Sequence, residues 1–348
     1  MKEAVKGFFK HIWRRKLSKP GYFIEDVFCN IVLKPYITVF GRHDRRRMKH
    51  YFSLCLIFRD EAPFLKEWID YHSVIGVDHF YLYNNDSVDN FREVLAPYID
   101  QGRVTLIDFL GRSMQTSAYK NCWERFRGET NWMCFLDADE FICPKYETSI
   151  KDWLSGWDKW PAIEIKWVVF GTNGHIKHDF SKGVIEQYTS CTDRFWVDGK
   201  CFLNTRFDLS NFFSYPMFHY PHVRYRIFGI KIPVPPVNQF RQFIHPTLQR
   251  YAKMKPADLR KATIQINHYY TKSWEELARR SKKPNATVYE NGPSRQHRVT
   301  VLAHEEACVQ KDYTIQRFLI RLWIAQGKIT DLPFKDDRIK GDQSKGKH

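Results

Sequence analysis

Three carboxylates lie within four residues of the chain, at Asp137, Asp139 and Glu140. They follow the run 132–136, in which successive residues are apolar, and this pattern predicts a buried strand. Two carboxylates spaced two residues apart at a strand end can turn toward one hard cation. Such a cation, Mg²⁺ or Mn²⁺, takes oxygen ligands and completes its shell with substrate phosphates. The segment therefore predicts a metal–diphosphate site, although an acidic turn with no ligand would show the same pattern.

The elements around this motif alternate between strand and helix. Strands are predicted over 51–58, 77–83, 104–109 and 132–136, with helices between them. This alternation is typical of βαβ units and a largely parallel sheet. Polar residues follow three of these strands: Arg59 and Glu61 after the first, Asn85 and Asp89 after the second, and Asp137 and Asp139 after the fourth. Because the carboxyl ends of parallel strands share one edge of the sheet, we expect these side chains to lie close together.

The composition is that of a folded protein with an anionic partner. The chain has 348 residues, of which 43% are hydrophobic and 16% aromatic, and this excludes a disordered protein. The formal net charge of +16 indicates a phosphate-rich substrate, an acidic membrane surface or nucleic acid. The basic residues cluster at both ends and in linkers, without a helix-turn-helix, RRM or zinc-finger pattern. We therefore expect no nucleic-acid partner.

Cysteine spacing and hydropathy limit the compartment. None of the eight cysteines forms a C-x-x-C pair, so a zinc ribbon or thioredoxin-like site is not expected, and a reducing compartment is the simpler interpretation. No apolar run approaches the roughly 18 residues that span a bilayer. Residues 2–19 combine Lys and Arg with apolar residues at helical spacing. Such a helix either lies on an anionic membrane surface or packs on its own domain. We expect a cytoplasmic protein, with a peripheral position on the inner face of the membrane as the membrane-bound alternative.

Four ordered blocks of the sequence resemble glycosyltransferase family 92 and the related family 2-like enzymes. The first block begins with Arg59-Asp60-Glu61 and ends with Asn84-Asn85, the second runs from Gln115 to Asp137-Ala138-Asp139-Glu140-Phe141, the third includes Val184-Ile185-Glu186 and Gly199-Lys200, and the fourth is Ile266-Asn267-His268-Tyr269 followed by Lys272-Ser273. The order of the blocks is far more specific than any single motif.

The resemblance implies a GT-A fold: an α/β, Rossmann-like domain with a mixed, mainly parallel sheet flanked by helices, followed by a C-terminal helical extension. The expected boundaries are a basic N-terminal extension over 1–50, the GT-A glycosyltransferase domain over 51–278, a helical region over 279–334 and a disordered tail over 335–348. The acceptor side of such a domain is built from its C-terminal half.

The resemblance also implies roles for individual residues. Asp137 and Asp139 would bind Mn²⁺ or Mg²⁺ that bridges the diphosphate of a donor such as UDP-galactose. His268 would complete the metal shell, and an imidazole suits Mn²⁺ better than Mg²⁺; the alternative is a strand histidine packed near the surface. The residues expected to bind the nucleotide sugar are Arg59, Glu61, Asn85, Asp89, Gln115, Asp137, Lys200 and Lys272, with Arg206 as a further cation for the diphosphate. Asn85 stands where family 2 enzymes commonly carry an aspartate.

The implied activity is transfer of a hexose to a glycan or a lipid-linked saccharide, by direct displacement with inversion at the anomeric carbon. This step needs a base for the acceptor hydroxyl, and Glu186 is the first candidate, ahead of Asp193 and His219. Two other functions stay open. A metal-dependent phosphatase or nuclease could use the acidic group but would need further ligand clusters. A non-catalytic relative would bind the nucleotide sugar without transferring it.

Overall fold

The computed structural model describes residues 27–196, 198–210, 221–227, 229–244, 255–281 and 295–330. The basic segment over 2–19, His219 and the C-terminal tail lie outside the described residues. The predictions made for them therefore stay predictions. Vesicle binding with and without residues 1–19 would test the membrane-surface helix.

The body of the structure is a mixed sheet. In chain order the described strands are β1 (His50–Phe58), β2 (His79–Asn84), β3 (Val104–Asp108), β4 (Thr130–Phe135), β5 (Glu140–Pro144), β6 (Ala162–Val169), β7 (Ser190–Cys191), β8 (Gly199–Asn204), β9 (Asp208–Leu209), β10 (Val223–Ile227), β11 (Ile230–Val234), β12 (Val237–Asn238), β13 (Ile264–His268) and β14 (Gln310–Lys311). The main sheet has the order β3-β2-β1-β4-β8-β6-β13-β5, with β12 beside β6. Strands β1 to β4 run parallel, whereas β8 is antiparallel to both of its neighbours and β5 is antiparallel to β13. The mixed, mainly parallel sheet predicted from the sequence is confirmed.

Helices cover the sheet and form the C-terminal extension. They are α1 (Lys34–Phe40, after a π-helical turn Cys29–Leu33), α2 (Ala62–Val74), α3 (Phe91–Asp100), α4 (Gln115–Phe126), α5 (Ile150–Ser155), α6 (Val184–Gln187), α7 (Pro256–Lys261), α8 (Trp274–Ser281), α9 (Arg295–Ala307) and α10 (Leu319–Ala325, after a 3₁₀ turn Thr314–Phe318). The strands predicted before residue 140 lie within two residues of β1 to β4. β2 and β4 are buried along their whole length, as expected for parallel strands covered on both faces.

The region predicted as helical over 279–334 is interrupted in its described part. α9 ends at Ala307, and β14 then pairs with β7 before the chain turns back into helix. The Asp312 backbone N–H donates to the carbonyl oxygen of Thr189, and its carboxylate accepts from the backbone N–H of Thr314, at 2.9 and 2.8 Å. The contact with Thr189 and the pairing of β14 with β7 join distant segments, so helical periodicity alone could not show the interruption.

Helix α2 is anchored to β5, the strand that begins at Glu140. The Trp68 indole N–H donates to the backbone carbonyl of Glu140 at 3.0 Å, and the Tyr71 hydroxyl donates to that of Ile142 at 2.7 Å. Both aromatic side chains are fully buried. Buried Trp and Tyr combine a large apolar area with one directed hydrogen bond. The start of β5 is therefore fixed in position relative to α2.

Two further features of the described residues are the state of the cysteines and the character of the helices. All eight cysteines lie in the described part of the chain, and none forms a disulfide there. Among the described helices, none has both the length and the apolar character needed to cross a bilayer.

Glu67 of α2 holds the short helix α6 in place. Its carboxylate is 9% exposed and accepts from the backbone N–H groups of Val184 and Ile185 at 2.7 and 3.2 Å. At Gly183, an added Cβ would lie 2.2 Å from a carboxylate oxygen of Glu67, so only glycine allows this approach. Burial raises the pKa of Glu67 to about 7, although the two backbone N–H donors oppose the shift.

The substitution Glu67→Gln tests this buried carboxyl group. A folded-state pKa above the unfolded value means that Glu67 contributes stability below pH 4.5 and that this stability is lost as the pH rises toward 7. The loss amounts to at most about 1.4 kcal/mol per pH unit. We expect the free energy of unfolding of the variant, measured by urea denaturation between pH 5 and pH 8, to lack this decline. Identical pH dependence in the two proteins would contradict the assignment.

Candidate active site

The acidic turn lies between β4 and β5 at the edge of the sheet where β1, β2 and β4 end. Strand β5 pairs with β13 so that Glu140 stands opposite His268. The backbone N–H of Tyr269 donates to the carbonyl oxygen of Asp139 at 2.8 Å. This antiparallel pairing brings a histidine from far along the chain beside Asp139. Asp137 lies on the β4 side of the same turn.

The protein itself engages both carboxylate oxygens of Asp137. One oxygen lies 2.8 Å from the Lys200 ammonium, and the other accepts from the Gln115 amide and the Tyr119 hydroxyl at 3.2 and 3.1 Å. The Lys200 ammonium is also 3.5 Å from Glu140, and the Lys200 side chain is only 3% exposed. Although burial lowers the pKa of Lys200, the carboxylates of Asp137 and Glu140 raise it, and the net shift is upward. Burial raises the pKa of Glu140, and Lys200 opposes this shift. Lys200 is therefore a buried cation that compensates Asp137 and partly compensates Glu140.

Asp139 lies between a guanidinium and an imidazole. One carboxylate oxygen is 2.7 Å from Arg280 and the other is 3.7 Å from the Nε2 atom of His268. Burial raises the pKa of Asp139, but the neighbouring positive groups, Arg280 first, outweigh burial and lower the pKa to about 2. Burial lowers the pKa of His268 to about 4, against the opposing effect of the carboxylates. At neutral pH an ionised carboxylate therefore faces a neutral imidazole.

Glu61, just after β1, carries a second set of ion pairs. The ammonium of Lys272 is 3.7 Å from its carboxylate, and the guanidinium of Arg279 is 3.8 Å away. Lys272 is buried, adopts a left-handed backbone with φ of 51°, and places its ammonium 3.7 Å from the centroid of the Phe64 ring. A non-glycine residue in this conformation costs about 1–3 kcal/mol and persists only where the surroundings impose it. We call Lys200, Lys272, Arg279 and Arg280 the cation group.

The residues of the turn fit a divalent ion in kind. Asp139 and His268 offer a carboxylate oxygen and a neutral imidazole nitrogen that face each other at a distance too long for a hydrogen bond. Oxygen and imidazole nitrogen together suit Mn²⁺. No group of three or more side-chain ligands is gathered in the described ranges. An ion bound here would therefore take further ligands from substrate phosphates and water.

The structure brings together half of the residues that the sequence predicted for the site. They are Asp137 with Gln115 and Lys200, Asp139 with His268, and Glu61 with Lys272. The sequence interpretation missed Tyr119, Arg279 and Arg280. Tyr119 follows Gln115 by four residues, and both lie on α4, so this spacing could have indicated a shared face. The two arginines lack a local signal, because they reach the site only through the position of α8.

Two predicted nucleotide-binding residues make contacts that stabilise loops. The Asn85 amide donates to the backbone carbonyls of Phe109 and Gly111, at 3.0 and 2.8 Å. The Asp89 carboxylate accepts from the backbone N–H of Ala62 at 2.8 Å and so satisfies a free donor at the start of α2. Their roles toward a nucleotide stay predictions.

The candidate bases lie among other side chains. The Glu186 carboxylate accepts from the Trp323 indole at 3.2 Å, and Asp193 pairs with the adjacent Arg194 at 2.7 Å. Among the contacts of the described residues, neither carboxylate touches the acidic turn. The role of either residue as the base stays a prediction.

The two remaining predicted cations are Arg59 and Arg206. Arg59 directly follows β1 and is half-buried. Arg206 donates to the backbone carbonyls of Arg42 and Asp158, at 2.9 and 3.3 Å. A part for either of them in binding a diphosphate stays a prediction.

Replacing Lys200 by methionine tests the charge compensation within the turn. The change leaves Glu140 buried, and Asp137 partly buried, without their shared cation. Breaking such a buried pair from one side costs about 3–5 kcal/mol. We expect a loss of this size in the free energy of unfolding, measured by chemical denaturation.

Lys231→Met is the matched control, because Lys231 forms a half-exposed pair with Asp208 at 3.6 Å. Loss of a surface pair costs about 1 kcal/mol or less. Equal losses in the two variants would show that Lys200 does not carry the compensation.

Comparison with known proteins places the chain in a family. The model of glycosyltransferase family 92 matches residues 49–300. A family 92 protein of Oryza sativa subsp. japonica is 34% identical over 155 residues, which cover 43% of this chain and 26% of that protein. A galactan beta-1,4-galactosyltransferase of Arabidopsis thaliana is 30% identical over 135 residues, covering 35% of this chain and 26% of the relative. The matched part thus spans about a quarter of the length of these curated relatives.

Solved structures show partial likenesses. Staphylococcus aureus TarS in complex with UDP has a TM-score of 0.32 at 11% identity, covering 44% of this chain and 47% of the TarS chain. Glucosyl-3-phosphoglycerate synthase from Mycobacterium tuberculosis, in complex with Mn²⁺, UDP and glucosyl-3-phosphoglycerate, has a TM-score of 0.28 at 15% identity. The match covers 45% of this chain and 57% of the synthase chain. From the family match over residues 49–300, the chain belongs to glycosyltransferase family 92.

Proposed function

We propose that the chain transfers a hexose from a UDP-linked sugar to a saccharide acceptor, with a divalent metal ion at the acidic turn. The observation that carries the proposal is the facing pair of Asp139 and His268 beside the cation group. Membership of family 92 supports sugar transfer. The galactan beta-1,4-galactosyltransferases among the relatives support galactose as the first sugar to test and a saccharide as the acceptor.

The charges of the site suit a nucleotide diphosphate. Glycosyl transfer from such a donor releases a diphosphate, on which negative charge builds as the bond to the sugar breaks. Lys272, Arg279 and Arg280 lie near this edge of the sheet and are already oriented by their contacts with Glu61 and Asp139. Oriented charges in a partly dry site stabilise developing charge strongly, because little reorganisation is needed during the reaction.

Asp139 and His268 would hold the ion, with Asp137 as the further carboxylate of the motif. A bound Mn²⁺ or Mg²⁺ would supply Lewis-acid stabilisation of the departing diphosphate. The chain's own contribution is to keep these ligands in the protonation states that bind metal. Asp139 is ionised and His268 is neutral at physiological pH, since their pKa values are shifted to about 2 and about 4.

We further propose direct displacement with inversion, in which a base takes the proton of the acceptor hydroxyl. Glu186 and Asp193 are the described candidates. A carboxylate in this role must come within hydrogen-bond reach of the acceptor once the acceptor is bound.

The substitution Asp139→Asn tests the proposal while keeping the side-chain shape. We expect UDP release from UDP-galactose, measured with a β-1,4-linked galacto-oligosaccharide as the acceptor, to fall by about 10²–10³-fold, as for loss of one oriented charge-stabilising group. Thermal unfolding should show a folded variant.

Asp208→Asn serves as the control, because Asp208 forms surface ion pairs with Arg127 and Lys231. Full activity of the Asp139 variant would refute the assigned site. UDP binding without release of UDP from any nucleotide sugar would instead favour a non-catalytic, nucleotide-sugar-binding relative.

A further inference from the structure

Arg280 forms an ion pair with the Asp139 carboxylate, which a metal ion would also need as a ligand. Its guanidinium is 2.7 Å from one oxygen of Asp139, whose other oxygen faces His268. A guanidinium and a divalent ion both require the negative charge of this carboxylate, and they repel each other at such a short distance. Full coordination of an ion by Asp139 therefore weakens or breaks the contact with Arg280.

The surroundings of Arg280 allow such a movement. Its side chain is 31% exposed, whereas the Asp139 side chain is 5% exposed, so the arginine is the partner with room to move. The guanidinium also donates to the backbone carbonyl of Tyr270 at 2.7 Å, and it lies 5.7 Å from the centroid of the Tyr270 ring.

The adjacent arginine has a different set of partners. Arg279 donates to the Glu276 carboxylate at 2.8 Å and to the Asp60 backbone carbonyl at 3.0 Å, and it lies 3.8 Å from Glu61. Both arginines carry the same charge on neighbouring positions of one helix, but Arg280 is the one that contacts Asp139.

We propose that Arg280 is a displaceable occupant of the metal site, which transfers from Asp139 to the diphosphate of the donor when the ion binds. This inference rests on the proposed function. An arginine suits the exchange because its planar guanidinium forms paired hydrogen bonds with carboxylate and with phosphate oxygens alike. In the ligand-free protein the same contact neutralises the carboxylate of a buried side chain.

The exchange predicts how metal and nucleotide depend on each other. When Mn²⁺ binds alone, it must displace Arg280 from Asp139, and the guanidinium is left without an anionic partner. Mn²⁺ together with UDP provides Arg280 with a new anionic partner. Part of the positive coupling between Mn²⁺ and UDP thus belongs to Arg280, and by linkage each ligand strengthens the binding of the other by the same factor.

The experiment compares Arg280→Gln with Arg279→Gln in the full-length chain. The dissociation constant of Mn²⁺ is measured from the electron paramagnetic resonance signal of the free ion, without and with saturating UDP. For Arg280→Gln we expect Mn²⁺ alone to bind about tenfold more tightly than in the wild type, and the coupling with UDP to fall by a similar factor, within the usual range of coupling energies. Arg279→Gln removes an equal charge near the site without removing the contact with Asp139, and we expect the dissociation constant of Mn²⁺ alone to change by less than about twofold.

Two results would overturn the inference while leaving the proposed function in place. One is an equal gain in Mn²⁺ affinity in both variants, which would be a general charge effect. The other is unchanged coupling, or weaker binding of Mn²⁺ alone, in Arg280→Gln. A wild-type protein that binds no Mn²⁺ in either condition would overturn the metal site itself, and with it the proposed metal dependence.

Discussion

Charge compensation of the carboxylates after β4 is the constraint on which this edge of the structure depends. Carboxylates with little exposure are costly unless cations and hydrogen-bond donors surround them. Lys200 from β8 compensates Asp137 and Glu140, and Arg280 from α8 compensates Asp139. These cations follow the turn by 60 residues or more in the sequence. The acidic turn can therefore be stable only after distant parts of the chain have assembled around it.

The same contacts explain why the arrangement suits an anionic ligand. The antiparallel pairing of β5 with β13 sets His268 opposite Glu140 and so beside Asp139, while Trp68 of α2 fixes the start of β5. The proposed metal ligands thus lie on well-anchored strands. By contrast, the Arg280 side chain is partly exposed. Fixed proposed ligands beside an arginine that can change position suit the joint binding of a metal ion and a diphosphate.

The part of this arrangement that could be predicted from the sequence is the part with local or ordered signals. Apolar runs and strand–helix alternation located β1 to β4, and the parallel order then placed Glu61, Asn85 and Asp137 at one edge. The resemblance added His268 and Lys200. Arg280 and the interruption after α9 depend on contacts between distant segments, which residue spacing does not encode. For Asp89, the strand-end position was predicted, but its contact at the start of α2 needed the loop geometry.

Calorimetric titration of UDP into the purified protein, once with Mn²⁺ and once with EDTA, tests the central claim most directly. The claim is that Asp139, His268 and the cation group form one metal-dependent diphosphate site. We expect UDP binding in the presence of Mn²⁺ that is lost or strongly weakened with EDTA. Absence of UDP binding in both conditions would contradict the account.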